Sequence, residues 1–182
     1  MRVFFAIEFE DEMKNFLYQI QNEVRQQCMA GNFTHKENFH LTLRFIGEQS
    51  QQQIEQLMSS LKETAGSIPE FEVRLNKLGK FDRGNKKIIW VGLQKSQKLN
   101  NLYDKLESTL ESRGYAKEER GYSPHITLAR EARIENYQQL SDKIEVSNLA
   151  IRVKSISLME STRINNKLCY LPLTREQLRQ QY

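Results

Sequence analysis

The sequence predicts an α+β fold with two lobes related by a pseudo-two-fold axis, in which two largely antiparallel sheets line a central cleft and helices pack outside. Two observations support this fold class. One order of strand and helix patterns occurs twice along the 182 residues, and both copies place a His-x-Thr-Leu tetrapeptide at the same point. A strand, a helix and a return strand in each copy favour a sheet covered by helices. We expect a single two-lobed domain over residues 1–182, with the copies at 3–78 and 88–173.

The first copy contains five elements in order. A short β-type run at 3–7 precedes apolar residues that recur at the i, i+3, i+4, i+7 spacing of an amphipathic helix over 13–24. An alternating strand at 40–46, a second helical pattern at 54–61 and an alternating strand at 71–75 follow. Each pattern predicts one element of a helix-covered sheet.

The second copy has the same order. It comprises a β-type run at 88–91, a helical pattern at 99–110, a motif strand at 125–128, a weaker helical pattern at 137–144, and strand patterns at 149–158 and 168–173. The interval from Val3 to His40 equals that from Ile88 to His125. Between the copies, the segment 79–87 contains two glycines, Asn and Asp, and predicts a long exposed turn.

The two tetrapeptides contain two of the three histidines of the chain. Because side chains alternate along a strand, His40 and Thr42 share one face of the first motif strand, and His125 and Thr127 share one face of the second. A two-fold arrangement would place these strands side by side. We therefore expect two imidazoles and two hydroxyls around one cleft.

These four groups suit phosphodiester cleavage. One imidazole can take the proton of an entering water while a protonated imidazole supplies one to the leaving oxygen. The hydroxyls of Thr42 and Thr127 can hold the non-bridging oxygens, where charge accumulates. The sequence contains no G-x-S-x-G, Walker or G-x-G-x-x-G motif. A single histidine on a strand is more often structural, but two copies in matching repeats favour catalysis.

Several residues near the motifs have two interpretations each. Arg44 follows His40 by four positions, so a regular strand would hold it on the histidine face, where it would reach a phosphate or form a surface ion pair. By the same alternation Arg130 points away from His125. The third histidine, His35, lies in a polar stretch and is expected to be a solvated loop residue.

Two further groups of side chains remain open in the same way. Positive residues in the predicted turn either contact a nucleic-acid backbone or are solvated; they are Lys80, Arg83, Lys86 and Lys87. Aromatic residues near the motifs either stack on a base or belong to the core; they are Phe45, Phe81 and Tyr122.

Composition and charge set broad limits on function. The net charge of +4 is compatible with a polyanionic partner without indicating one. Cys28 and Cys169 are isolated from each other and from histidines, which indicates reduced thiols in a cytoplasmic protein. The first residues are too acidic for a signal peptide, and no stretch approaches the roughly 20 apolar residues of a membrane span.

A resemblance to the two-histidine phosphoesterase superfamily rests on two segments, HLTLRFIGE at 40–48 and SPHITLAR at 123–130. Within it, the sequence resembles the bacterial and archaeal RNA 2′,3′-cyclic phosphodiesterases, also called LigT-like proteins or 2′-5′ RNA ligases. The likeness extends over nearly the whole chain. The sequence departs from the family at 33–36, where the family often has Trp and Pro.

The resemblance implies that the protein opens RNA 2′,3′-cyclic phosphate ends to 2′-phosphates without a metal or cofactor, and it allows reversible 2′-5′ RNA ligation. It assigns His40 as proton donor and His125 as proton acceptor. It assigns phosphate binding to Thr42 and Thr127, and to Arg130, which would need a bulge or strand end after position 128 to face the substrate.

Three alternatives remain open from the sequence. The first is a phosphodiesterase acting on small cyclic nucleotides, and the second is a noncatalytic RNA-binding module that uses the same cleft. The third is a histidine metal site, for which His35 is the only further imidazole. The expected partner is RNA with a cyclic phosphate end or a small cyclic nucleotide, without a membrane, and the expected state is a monomer.

Overall fold

The computed structural model describes residues 1–147 and 149–180. These residues form nine strands, namely β1 (Arg2–Glu8), β2 (Ala30–Phe33), β3 (His40–Glu48), β4 (Phe71–Arg83), β5 (Lys86–Leu93), β6 (His125–Arg133), β7 (Ala150–Val153), β8 (Ser155–Ile164) and β9 (Lys167–Gln177). They also form four α-helices, namely α1 (Asp11–Gln26), α2 (Gln51–Ser67), α3 (Gln97–Glu111) and α4 (Tyr137–Lys143), and a short 3₁₀ helix at Lys36–Asn38. The α+β class predicted from the sequence is confirmed.

The strands form two antiparallel sheets whose motif strands meet. The first sheet has the order β3-β1-β8-β9 and the second the order β2-β6-β5-β4-β7. Strands β3 and β6 contact each other. Helix α2 packs on the first sheet and α1 on the second. His40 and His125 are the first residues of the two contacting strands β3 and β6.

The sheets exchange strands between the two sequence copies. Strand β4, from the first copy, pairs with β5 in the second sheet, and β8, from the second copy, pairs with β1 in the first sheet. The expectation that each copy builds its own lobe is therefore wrong. Because both sheets contain strands from both copies, neither sheet can form from one half of the chain.

Two predicted segments differ from the structure because strands pair across the two sequence copies. The strand pattern at 149–158 is divided at Lys154, because β7 pairs with β4 in the second sheet while β8 pairs with β1 in the first. The long exposed turn predicted at 79–87 is a tight hairpin, in which β4 and β5 stay paired from Lys80–Ile89 to Arg83–Lys86. Gly84 adopts a φ of 61° at its tip, a conformation that glycine tolerates.

The helices follow their apolar periodicity. Helix α1 buries Leu17, Ile20 and Val24, and α3 buries its leucines at the equivalent spacing. Burying each such side chain contributes about 1.5–3 kcal/mol to folding. Helix α2 begins with a capping box, in which Ser50 accepts from the Gln53 backbone and Gln53 accepts from the Ser50 backbone. The helices therefore form where the sequence predicts them.

Candidate active site

His40 lies at the start of β3 with both ring nitrogens engaged. Its Nδ1 lies 2.7 Å from the Asn38 carbonyl, and its Nε2 lies 2.9 Å from Thr42 Oγ1. Because a carbonyl can only accept, Nδ1 donates, and Nε2 is the atom that can exchange a proton. The side-chain pairing of His40 with Thr42 agrees with the predicted alternation.

His125 has the same backbone anchor at the start of β6. Its Nδ1 lies 2.8 Å from the Ser123 carbonyl, two residues earlier, as Asn38 precedes His40. This contact again leaves Nε2 as the exchanging nitrogen. The repeat seen in the sequence thus extends to the hydrogen bonding of both rings.

Each motif strand contains a β-bulge at its leucine. Across β1, the partner of Ala6 is Thr42 and that of Phe5 is Arg44, so Leu43 is the extra residue on β3. Across β5, Thr127 pairs with Trp90 and Ala129 with Ile89, so Leu128 is the extra residue on β6. A bulge reverses the alternation of the side chains that follow it.

The bulges decide which arginine faces the histidines. Leu128 and Ala129 are both fully buried, so the exposed Arg130 returns to the face of His125 and Thr127. The bulge that the family resemblance required is present. The prediction from regular alternation, that Arg130 points away, is therefore wrong.

Arg44 leaves the histidine face for the same reason. Its side chain, 12% exposed, forms ion pairs with Glu107 at 3.2 Å and Glu118 at 2.6 Å. It also donates to the Ala116 carbonyl at 2.7 Å. The prediction that a regular strand would hold Arg44 beside His40 is wrong, because the bulge at Leu43 turns it toward α3.

Pairs of aromatic rings enclose the two imidazoles. The ring centroids of Phe4 and Tyr170 each lie 5.0 Å from that of His40. Those of Phe81 and Trp90 lie 5.0 and 5.9 Å from that of His125. Phe81 is therefore a wall of the site, whereas Phe45 is 48% exposed and lies under the Arg2 guanidinium.

The aromatic enclosure affects the protonation of both rings. Burial lowers the pKa of His40 below its ordinary value, and the charges of Arg130 and His125 lower it further. The hydrogen bond to Asn38 and the carboxylate of Glu8 act in the opposite direction. Burial also lowers the pKa of His125; the Ser123 carbonyl raises it and Arg130 adds to the lowering. Arg130 is thus close enough to act on both imidazoles.

The sequence matches the family model described as the 2′-5′ RNA ligase superfamily over residues 10–165. The chain belongs to this superfamily. A relative from Thermotoga maritima, named RNA 2′,3′-cyclic phosphodiesterase, is 27% identical over 89% of this chain and 87% of its own length. One of the same name from Aeropyrum pernix is 35% identical over 69% of this chain and 73% of its own.

Solved structures agree with this membership of the 2′-5′ RNA ligase superfamily. Escherichia coli LigT complexed with 3′-AMP has a TM-score of 0.77 and 27% identity, with 97% of each chain covered. TT0787 of Thermus thermophilus has a TM-score of 0.82 and 21% identity over the whole of both chains, and so supports the fold. The resemblance inferred from the two motifs is confirmed.

One difference between the two halves of this superfamily member falls beside the histidines. Glu8 of β1 is the cross-strand partner of His40, and Gly92 of β5 is the cross-strand partner of His125. Glu8 accepts from Ser157 at 2.5 Å and from Arg175 at 2.9 and 3.0 Å. The first histidine therefore has a carboxylate neighbour where the second has only a glycine.

The remaining candidates have partners other than the two histidines. Lys80 and Lys87 both pair with Asp82, and Lys86 pairs with Glu131 at 2.8 Å, so carboxylates neutralise much of the positive hairpin. His35 is exposed and caps the 3₁₀ helix, as expected for a loop residue. Tyr122 stacks on another tyrosine rather than entering the site.

Sequence reasoning found Phe81 but missed the other aromatic walls and the Glu8 cluster. Trp90 lies in a β-type run, and this run pairs with the second motif strand. An aromatic residue in that run was a signal for a wall of the site. Tyr170 and Arg175 join the site through β9, whose pairing with β8 and position in the first sheet no local pattern indicates.

Two features are absent from the described part of the chain. No group of three or more His, Cys, Asp or Glu residues among residues 1–147 and 149–180 could hold a metal ion. In the same residues, no helix is both long enough and apolar enough to span a membrane.

Proposed function

We propose that this protein hydrolyses the 2′,3′-cyclic phosphate ends of RNA to 2′-phosphomonoesters, using His40 and His125 as acid and base. The observation that carries the proposal is the matched anchoring of two imidazoles on adjoining strands, each with Nδ1 held by a backbone carbonyl and Nε2 left for proton transfer. Relatives that bear the name RNA 2′,3′-cyclic phosphodiesterase support the substrate class.

The reaction needs one proton removed and one supplied. Nε2 of His125 takes a proton from water as its oxygen attacks phosphorus, and Nε2 of protonated His40 gives a proton to the departing 3′ oxygen. The bond from the 2′ oxygen to phosphorus remains, so the product is a 2′-phosphate. Strain in the five-membered cyclic phosphate favours this opening, so the proposal needs no metal.

Three side chains are proposed to stabilise the charge on phosphorus. The hydroxyls of Thr42 and Thr127 share the faces of the two histidines, and Arg130 acts electrostatically on both rings. Donors aimed at the non-bridging oxygens stabilise the transition state more than the ground state, because negative charge increases there. Arg130 can also orient the phosphate through its planar guanidinium.

The unequal cross-strand neighbours support a division of the two protonation roles. A carboxylate favours the charged form of a nearby imidazole, so Glu8 favours protonated His40. His125 faces Gly92 and receives no such support. We therefore assign His40 as the acid and His125 as the base, which agrees with the roles implied by the family resemblance.

The experiment is a product assay on oligonucleotides and mononucleotides that end in 2′,3′-cyclic phosphate, run with EDTA. A 2′-phosphate product supports the proposal, and loss of turnover in EDTA or a 3′-phosphate product contradicts it. Relative kcat/KM across the panel separates RNA ends from small cyclic nucleotides. The same oligonucleotides offered with a 5′-hydroxyl RNA test the reverse 2′-5′ ligation.

The proposal also treats the protein as a cytoplasmic monomer that meets RNA ends through the cleft. Light scattering with and without an oligonucleotide bearing a 2′-phosphate tests the stoichiometry. One protein per RNA end agrees with the proposal, and a dimer that binds one end contradicts it.

A further inference from the structure

Each motif threonine is hydrogen-bonded through its backbone carbonyl to a hydroxyl from elsewhere in the chain. The Tyr122 hydroxyl donates to the Thr42 carbonyl at 3.1 Å. The Thr34 hydroxyl donates to the Thr127 carbonyl at 3.0 Å. Both bonds reach the residue immediately before a bulge leucine, where each motif strand changes its alternation.

The two hydrogen bonds are reciprocal. Tyr122 directly precedes Ser123, whose carbonyl anchors His125, yet its hydroxyl binds the first motif. Thr34 lies in the segment that leads to the first motif, yet its hydroxyl binds the second. The segment leading into each motif therefore also holds the threonine of the other. We name this pair of hydrogen bonds, Tyr122–Thr42 and Thr34–Thr127, the crossed ties.

Buried polar groups anchor the Thr34 tie. The amide of Gln21, which is fully buried, donates to the Thr34 carbonyl at 2.7 Å and to the Leu128 carbonyl at 2.8 Å. The Thr34 amide donates to the same Leu128 carbonyl at 2.9 Å. Thr34 is thus fixed to the bulge of β6 through both backbone and side chain.

The Tyr122 tie is anchored by a ring stack. The Tyr122 ring lies 4.1 Å from that of Tyr103 on α3, with 6° between the planes. Burial raises the pKa of the Tyr122 phenol, so the hydroxyl stays a donor at neutral pH. Arg44 pairs with Glu118 in the segment leading to Tyr122 and with Glu107 of α3, and so links that segment to α3.

We propose that Tyr122 and Thr34 are positioning residues. The crossed ties set the relative placement of His40 and His125 for proton transfer to and from the two oxygens of the in-line displacement. The inference rests on the proposed two-histidine reaction. Both hydroxyls bond to backbone carbonyls, so they act through the motif strands rather than on substrate. A displacement of about 1 Å between acid and base can cost roughly 10²-fold in rate, so loss of one tie should reduce kcat.

The test compares Tyr122→Phe and Thr34→Val with matched controls. Tyr103→Phe removes a hydroxyl from the other ring of the stack, and Thr34→Ser keeps the hydroxyl of the second tie. We expect each tie variant to lower kcat about tenfold with KM within about twofold of the wild type. Both controls should remain near wild-type kcat. Because both ties fix the same placement of His40 and His125, the double variant should lower kcat by less than the product of the two single-variant factors.

A measurement without turnover separates this inference from the proposed function. NMR titration of the His40 and His125 ring protons, in the presence of inorganic phosphate, should show shifted ring pKa values in both tie variants and wild-type values in both controls. If the tie variants keep the wild-type kcat and the wild-type ring pKa values, the positioning role is overturned. An inactive wild-type enzyme whose tie variants still shift the titrations overturns the proposed function alone.

Discussion

The carboxylate of Glu8 stands opposite the imidazole of His40 on neighbouring strands of the first sheet. Gly92 occupies the matching place opposite His125. The duplicated architecture provides two similar imidazoles, and hydrolysis needs them in opposite protonation states. This difference between the two paired strands is the basis on which we assign different protonation roles to the two histidines.

Glu8→Gln is expected to weaken the acid. Without the carboxylate the pKa of His40 falls further, so less of the ring is protonated at neutral pH and the alkaline limb of the rate profile moves to lower pH. The smaller protonated fraction of His40 should lower kcat at neutral pH by roughly three- to tenfold. Arg175→Gln is the matched comparison, since it removes the arginine partner of Glu8 while Ser157 remains, and it should move the same limb to higher pH. If the alkaline limbs of the two variants move in the same direction, the assignment of His40 as the acid is contradicted.

Arg130→Ala is expected to remove phosphate binding and change both titrations. Loss of a donor to the transition-state oxygens should lower kcat/KM by about 10²- to 10³-fold. Because Arg130 lowers the pKa of both histidines, both values should rise in the variant. Arg130→Lys keeps the charge but not the planar fork, so it should restore the pKa values more fully than the rate. Ring pKa values that do not move would place Arg130 outside the site.

Gln21→Met is expected to destabilise the fold. The substitution removes the donor of both side-chain hydrogen bonds; the Leu128 carbonyl keeps the Thr34 amide, whereas the Thr34 carbonyl loses its donor. An unsatisfied buried polar group costs about 1–3 kcal/mol, so urea denaturation should show a loss of this order. Gln19→Met, on the exposed face of the same helix, should change stability by less than about 0.5 kcal/mol. Equal effects at the two positions would refute the role given to Gln21.

Gly79→Ala is expected to disturb the wall beside His125. A methyl group at Gly79 would overlap the Trp90 indole, which crosses this strand. The indole should move, lowering kcat and changing the Trp fluorescence. Gly66→Ala is the control because no atom lies within 4 Å of the added carbon. It should raise stability by about 0.5–1 kcal/mol through helix propensity and leave kcat unchanged. Unaltered fluorescence in Gly79→Ala would show that the indole does not depend on the glycine.

Local patterns predicted the helices and motif strands well, because apolar periodicity in α1 and α3 reflects burial on one face. They did not predict the strand exchange, since the partner of β4 is chosen by the assembled sheet rather than by its own residues. Arg44 and Arg130 show the same limit. A single bulge residue in each strand reverses the alternation, so regular spacing placed both arginines on the wrong face.

Local sequence patterns did not indicate Tyr170 or Glu8 as parts of the site, because folding brings their partners together from distant parts of the chain. Tyr170 contacts His40 from a strand at the other end of the chain. Glu8 acquires its importance through pairing with His40, Ser157 and Arg175, which only the folded sheet brings together. The catalytic candidates themselves could be found because they recur in the sequence.

The central claim is tested most directly by the pH dependence of residual kcat in His40→Ala and His125→Ala on one cyclic-phosphate oligonucleotide. The wild-type profile should be bell-shaped, since one ring must be neutral and the other charged. His125→Ala should lose the acidic limb and recover toward high pH as hydroxide replaces the base. His40→Ala should lose the alkaline limb, and both should fall far below the wild type at neutral pH. Near-wild-type turnover in either variant, or the same limb lost in both, would contradict acid–base catalysis by this pair.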